Sequence, residues 1–228
     1  MVSARELDIT YVGTGPRVVL VHGSVIGRHT WHRQAELAEH WALTLPNRPG
    51  FGASPSLPRG DFEAEAPLIA ELLGDGAHLV GHSYGAVIAL YAAALRPEAV
   101  RSLTVSEPGC FRVAASDARV AAQIANGELL QGARLLMSER PPWEADPPLS
   151  LLRTTGFAKL VISGGHSSVF EAVCDAVADG LQARRTVIAG RGHTIPATGA
   201  PYNEVLHAFL TEAEQLTGSA PAGASQVR

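Results

Sequence analysis

One serine in this sequence stands in a setting that suits nucleophilic catalysis. Ser83 is the central residue of GHSYG (81–85), which matches the pattern G-x-S-x-G. A serine hydroxyl is too weakly acidic to attack a carbonyl carbon unaided, so it needs a base whose pKa lies near the working pH. Histidine is the usual base, and the chain has nine histidines. Ser83 with one of them predicts acyl transfer, whereas the alternative is an incidental serine in a glycine-rich turn.

The residues around Ser83 favour the catalytic interpretation. AHLVG (77–81) is typical of a buried strand, and AVIALYAAAL (86–95) is typical of a helix that ends before Pro97. The motif is typical of a sharp turn from strand to helix, in which the small flanking glycines let the two elements approach each other. The turn presents the serine at the helix N-terminus. Developing negative charge is favoured at that end of a helix.

Strand patterns and helix patterns alternate along the rest of the chain. This alternation predicts an α/β protein with a mostly parallel sheet and helices on both faces. The predicted strands are 17–21, 42–45, 77–81, 100–106, 159–163 and 184–189. The predicted helices are 29–41, 63–73, 86–95 and 168–181.

The alternation is interrupted once. About fifty residues between Ser106 and Lys159 contain helical patches and the proline-rich stretch ERPPWEADPP (139–148). We expect a small helical cap insertion over 110–157 inside a single domain of residues 1–228; a long surface excursion is the alternative. The small, polar residues of 217–228 predict a disordered tail.

Four motifs occur in a recognisable order: VLVHGS (19–24), NRPGFGASP (47–55), LVGHSYGAVIAL (79–90) and GRGHTIP (190–196). Together they resemble the α/β-hydrolase superfamily from about Arg5 to Leu210. The resemblance implies the α/β-hydrolase fold with a small cap, Ser83 as nucleophile and His193 as base. His193 lies in a glycine-rich loop after the last predicted strand, where the superfamily carries its base.

The other histidines receive different interpretations. His22 and His82 flank glycines at strand ends, so we expect them to line the site and to orient or pack rather than act as base. Three further histidines are assigned to the surface of the predicted helix over 29–41: His29, His32 and His40.

A tetrahedral intermediate carries an oxyanion that needs two preorganised hydrogen-bond donors. One should be the backbone N–H of Tyr84, the residue after the nucleophile. The resemblance places the other in the loop after Gly23, most simply at the backbone N–H of Ser24, with Val25 as the fallback.

The acid departs from the family pattern. Most relatives carry an Asp in a G-x-x-D loop, where this sequence reads SGGHSSVFEAV (163–173) and places Ser167 or Ser168. Glu107 follows the strand 100–106, and some members of the superfamily place a Glu at this strand end, so we assign it as the acid. Two alternatives stay open. Asp175 or Glu171 could replace it, or the site is a Ser–His dyad in which His166 and Ser167 line the site.

Composition excludes several other classes. Apolar residues make up 46% and charged residues 18%, with a net charge of −4, which argues against a disordered chain and against general nucleic-acid or anionic-membrane binding. The longest apolar run, 86–95, is too short to span a membrane. Two cysteines and an N-terminus without the apolar core of a signal peptide predict a cytoplasmic protein with reduced thiols. We expect no metal and no cofactor; oligomeric state is left open.

The predicted activity is hydrolysis of a carboxylic ester or lactone of a small to medium apolar substrate through an acyl-enzyme. Apolar residues of the cap segment would suit such a pocket, or they attach the cap to the sheet: Phe111, Ile124, Leu129, Leu130, Leu135, Leu136, Met137, Trp143 and Leu149. A lyase or cyclase using the same Ser and His, and a ligand-binding receptor with little turnover, are alternatives because a fold does not determine function.

Overall fold

The computed structural model describes residues 2–129 and 139–218. These residues contain a seven-stranded sheet. In chain order the strands are β1 Ile9–Val12, β2 Arg17–Val21, β3 Ala42–Pro46, β4 Ala77–His82, β5 Val100–Ser106, β6 Ala158–Ser163 and β7 Arg184–Val187. In space their order is β1-β3-β2-β4-β5-β6-β7. The first strand pairs antiparallel with β3, and the other neighbouring pairs are parallel.

Except between β2 and β3, helices connect the successive parallel strands, and the last helix follows β7. They are α1 Phe62–Leu72, α2 Tyr84–Leu95, α3 Ala118–Leu129, α4 Leu149–Arg153, α5 Ser168–Leu181 and α6 Ala200–Gly218. Short 3-10 turns fill other connections, at Ala4–Glu6, Gly27–Trp31, Ala35–Glu39, Pro97–Ala99, Phe111–Ala114, Pro142–Glu144 and Ile195–Thr198. Within the described part of the chain, no helix is both long and apolar enough to cross a membrane.

The sheet is buried between two apolar layers. Every residue of β4 is buried, as expected for a central parallel strand covered on both faces. One layer is formed by α1, α2 and α5. The other is formed by α6 and the segment between β2 and β3. Because β4, β5 and β6 pair in parallel, their carboxyl ends meet at one edge of the sheet, where loops from several strands come together.

The predicted fold class is confirmed, and all six predicted strands are present with shifts of at most two residues at their ends. The helix predicted over 29–41 is wrong. Two 3-10 turns occupy this region, because side chains here bond to a local carbonyl and to a distant loop instead of supporting one regular helix. The Thr30 hydroxyl donates to the Gly27 carbonyl at 2.9 Å. The buried Gln34 amide donates to the Pro196 carbonyl at 2.8 Å.

The predicted cap is only partly covered by the described residues. Phe111 is buried, whereas Ile124, Trp143 and Leu149 are partly buried and pack against the core beneath them. Leu130, Leu135, Leu136 and Met137 lie outside the described residues, and the side chain of Leu129 is likewise not described. Of the predicted tail, residues 217 and 218 belong instead to the end of α6, and 219–228 lie outside the described residues.

Candidate active site

Ser83 forms the turn between β4 and α2 in a strained backbone conformation. Its φ is 56° and its ψ is −121°, which a residue with a side chain rarely adopts. The Ser83 N–H donates to the Ser106 carbonyl at 2.9 Å and fixes the turn to the neighbouring strand. A Cβ on Gly81 would lie 2.5 Å from the Ala86 Cα, and a Cβ on Gly85 would lie 2.3 Å from the His22 carbonyl oxygen. Glycine is therefore required on both sides of the turn.

His193 reaches Ser83 from the loop after β7. Its Nε2 lies 2.8 Å from the Ser83 Oγ, and its Nδ1 lies 2.5 Å from an Oε2 of Glu107. A carboxylate only accepts, so Nδ1 carries the proton and Nε2 is free to accept the serine proton. The imidazole stacks on Phe170, with ring centroids 4.5 Å apart.

Glu107 is fully buried directly after β5, with a φ of 43° that points to a constrained position. Its N–H donates to the Ile162 carbonyl at 2.9 Å, which ties it to β6. Its Oε1 accepts the Gly164 N–H at 2.7 Å and lies 3.2 Å from Nδ1 of His166. Both carboxylate oxygens therefore have donors, as a buried charge requires.

The alternative acids point elsewhere. Glu171 contacts Arg185 at 2.6 Å, and Asp175 contacts the same arginine at 3.0 Å. Ser167 and Ser168, one of which stands where the resemblance expects Asp, are the N-cap and the first residue of α5. His166 is not among the residues that line the cavity at Ser83; it contacts Oε1 of Glu107, whereas His193 contacts Oε2.

A cavity of about 230 Å³ opens beside Ser83 and His193. It is lined by Gly23, Ser24, Val25, Ile26, Thr30, His82, Ser83, His193 and Thr194. Val25 is 86% exposed and gives the rim an apolar side chain. Of the predicted pocket residues, Val25 and His82 line this cavity. Trp143 packs against the core and His22 is fully buried, and neither lines this cavity.

Two backbone amides next to the reacting residues have no acceptor among the described residues. Ser24 borders the cavity, and Tyr84 begins α2, where the first N–H groups of a helix have no intrahelical acceptor. Among the described residues, neither amide donates to any protein acceptor. Unpaired amides at a helix start suit a developing negative charge.

His22 and His82 hold backbone groups. The Nε2 of His22 accepts the Arg48 N–H at 2.9 Å, so its Nδ1 donates to the Gly23 carbonyl at 2.6 Å. The Nε2 of His82 donates to the His193 carbonyl at 2.7 Å. Burial lowers the pKa of His22 to about 3 and the pKa of His82 to about 4, so both are neutral at pH 7.

Arg48 is a buried charge at this site that the sequence did not single out. Its side chain is completely buried and contacts Glu65 at 2.8 Å and Glu139 at 2.6 Å. An arginine in a glycine-rich loop is normally expected to be exposed. Its buried ion-pair partner, Glu65, lies in the separate helix α1, so the pairing has no local sequence signal. Within the described residues, no group of three or more His, Cys, Asp or Glu side chains is arranged so that it could hold a metal ion.

Comparison with known proteins assigns this architecture to a family. Residues 16–146 match the model of the alpha/beta hydrolase fold, which is more than half of the 228 residues. The chain belongs to the alpha/beta hydrolase fold family. A pimeloyl-[acyl-carrier protein] methyl ester esterase from Methylococcus capsulatus is 35% identical to this alpha/beta hydrolase over 68% of the chain and 72% of the relative.

Other relatives match over a shorter stretch. A pimeloyl-[acyl-carrier protein] methyl ester esterase from Chromobacterium violaceum is 41% identical over 44% of this alpha/beta hydrolase, and the match covers 40% of that relative. The match to the Chromobacterium violaceum esterase thus spans about two fifths of that relative's length. A solved thermophilic esterase from Thermogutta terrifontis has a TM-score of 0.68 and 23% identity, covering 91% of this chain and 93% of that one, which shows the shared fold.

Proposed function

We propose that this alpha/beta hydrolase is a serine hydrolase that cleaves a carboxylic ester or lactone of a small to medium apolar substrate through an acyl-enzyme. One observation carries the proposal. Ser83, His193 and Glu107 form an unbroken hydrogen-bond chain, with contacts of 2.8 and 2.5 Å, beside an open cavity. The names of the two relatives, both methyl ester esterases, support ester hydrolysis.

Acylation begins with proton transfer from Ser83 to His193. The Ser83 Oγ attacks the carbonyl carbon while Nε2 of His193 takes the hydroxyl proton. The fully buried Glu107 carboxylate faces Nδ1 and stabilises the imidazolium that forms. The imidazolium then protonates the leaving alkoxide, and the alcohol departs.

The oxyanion is held by the backbone amides of Ser24 and Tyr84. Neither amide has a protein acceptor among the described residues, so each is available to the developing negative charge. Water then attacks the acyl-enzyme with His193 as base. The second tetrahedral intermediate collapses to the carboxylic acid and free Ser83.

The cavity favours a small group next to Ser83. Its volume of about 230 Å³ lies below the usual range for drug-sized ligands, and the exposed Val25 and Ile26 extend an apolar rim outward. The relatives' names specify a methyl ester, so short-alcohol esters belong among the first substrates to test. We infer that the segment 110–157 caps this site, since Phe111 contacts Phe170, which stacks on His193.

A substrate panel with a matched variant tests the proposal. Methyl, ethyl and nitrophenyl esters and lactones of increasing acyl length are assayed with the wild-type protein and Ser83→Ala. We expect turnover of short esters, a burst of nitrophenol equal to the enzyme concentration, and no turnover by the variant. Cleavage of a cyanohydrin added to this panel, or ring closure, in either case without a burst, would favour a lyase or cyclase. A ligand-induced rise in Tm without product would favour a receptor.

A further inference from the structure

Arg48 makes contacts that connect it to Gly23 and Ser24, which follow β2 and are called the oxyanion loop below. Its Nε and Nη2 donate to the two carboxylate oxygens of Glu65 at 2.8 and 3.0 Å, and Nη2 also donates to Glu139 at 2.6 Å. Its Nη1 donates to the Gly23 carbonyl at 3.1 Å. The side chain is completely buried, and its guanidinium lies 4.6 Å from the ring of Tyr84. Such a bidentate, fully enclosed arrangement fixes the guanidinium plane.

The Gly23 carbonyl belongs to the same peptide group as the Ser24 N–H. A trans peptide is planar, and its C=O and N–H point in opposite directions. The carbonyl accepts two hydrogen bonds, from Nη1 of Arg48 at 3.1 Å and from Nδ1 of His22 at 2.6 Å. Donors that hold the carbonyl on one side therefore fix the direction of the N–H on the other, where Ser24 borders the cavity.

Ion pairing alone does not account for these contacts. Glu65 already satisfies Nε and one Nη2 hydrogen of Arg48, and a buried pair of this kind is often replaceable by apolar residues. The additional Nη1 contact reaches the loop carbonyl that shares a peptide group with the Ser24 N–H.

We propose that Arg48 is a positioning residue that aims the Ser24 amide at the oxyanion. This inference rests on the proposed function. Donors that stabilise an oxyanion act on the transition state, and misplacing one lowers kcat with little change in substrate binding. Arg48 should therefore affect kcat and the binding of oxyanion-forming inhibitors, and leave KM almost unchanged.

Arg48→Lys is the test variant and Arg140→Lys is the matched control. Lysine keeps the charge among the carboxylates, but its single nitrogen cannot donate to both Glu65 and Gly23 in this geometry. Arg140 holds the neighbouring segment through Asp61, Glu63 and Glu144 and has no contact with Gly23 among the described residues. The readouts are kcat, KM and the affinity of a trifluoromethyl ketone, which forms an oxyanion on the serine.

We expect Arg48→Lys to lower kcat and ketone affinity together by about 10- to 100-fold, with KM within about threefold, and Arg140→Lys to stay within about twofold of wild type. Equal losses in both variants, a loss confined to KM, or unchanged ketone affinity would overturn the inference. If Arg48→Lys does not fold, the double variant Arg48→Met/Glu65→Met carries the same expectation. An inactive wild-type protein would instead overturn the proposed function, and this inference with it.

Discussion

Glu107 lies at the end of β5, where its carboxylate contacts the imidazoles of His193 and His166. Its Oε2 contacts His193 at 2.5 Å, and its Oε1 lies 3.2 Å from His166. The Glu107 N–H donates to β6 at 2.9 Å, so the acid is joined to the strand after which most relatives carry their Asp. Neighbouring parallel strands end at the same edge of the sheet, which explains how a carboxylate at either position can face one histidine.

Glu107→Gln should lower kcat by about 10³- to 10⁴-fold and leave the fold intact. The amide has the size of the carboxylate but no charge, so it cannot stabilise the imidazolium of His193. Steady-state ester hydrolysis and a thermal melt measure the two effects. Glu171→Gln is the control, because Glu171 contacts Arg185 instead of His193. Turnover near wild type in Glu107→Gln would remove this carboxylate from the mechanism.

At the residue scale, the sequence predicts the groups that lie at strand ends and misses those that depend on long-range burial. Glu107 directly follows a predicted strand and Ser83 lies two residues after the neighbouring one, so their proximity follows from the parallel order. The contact of His166 with Glu107 and the burial of Arg48 depend on how loops fold back over the sheet. No local pattern around Arg48 distinguishes a buried arginine from an exposed one.

Elements at the site are positioned by close backbone approach between β2, β4 and α2. Gly85 lies where α2 passes the end of β2. A Cβ added to Gly85 would lie 2.3 Å from the His22 carbonyl oxygen and 2.4 Å from that of Val21. The motif predicts this contact. No predicted element covers β1 or α6, although the apolar residues of α6 repeat at helical spacing.

Gly85→Ala should lower the free energy of unfolding by about 2 to 3 kcal/mol, because the new methyl group would overlap with backbone that cannot move aside. Urea denaturation measures the loss, and ester hydrolysis should fall with it since the oxyanion loop follows β2. Gly156→Ala is the matched control: a Cβ at Gly156 meets no atom within 4 Å. A stability loss in the control as large as in Gly85→Ala would contradict this explanation.

The whole molecule contains buried histidines that stay neutral at pH 7. Burial lowers the pKa of His78 to about 4, like that of His82, although Glu214 on α6 opposes the shift. His78 lies in the central strand, with Nδ1 2.7 Å from the Ser102 hydroxyl and Nε2 3.0 Å from Glu214. It therefore links the sheet to the last helix, and its titration affects the stability of the entire fold.

Stability should fall as the pH decreases from about 6.5 to about 4. The unfolded chain binds a proton at His78 near its ordinary pKa of 6.5, whereas the folded chain resists protonation until about pH 4, so protons favour unfolding in this window. The loss from His78 is on the order of 3 kcal/mol at most. Urea denaturation of wild type and His78→Asn across this pH range measures it. We expect a shallower decline in the variant; parallel curves would contradict the assignment.

The central claim is that His193 makes the Ser83 hydroxyl nucleophilic. Labelling with a fluorophosphonate, followed by peptide mapping of the wild-type protein, Ser83→Ala and His193→Asn, tests it most directly. We expect one phosphonyl group per wild-type chain, located on Ser83, no labelling of Ser83→Ala, and labelling of His193→Asn slowed by about 10³-fold or more. Labelling of another residue, or an unchanged labelling rate in His193→Asn, would contradict the claim.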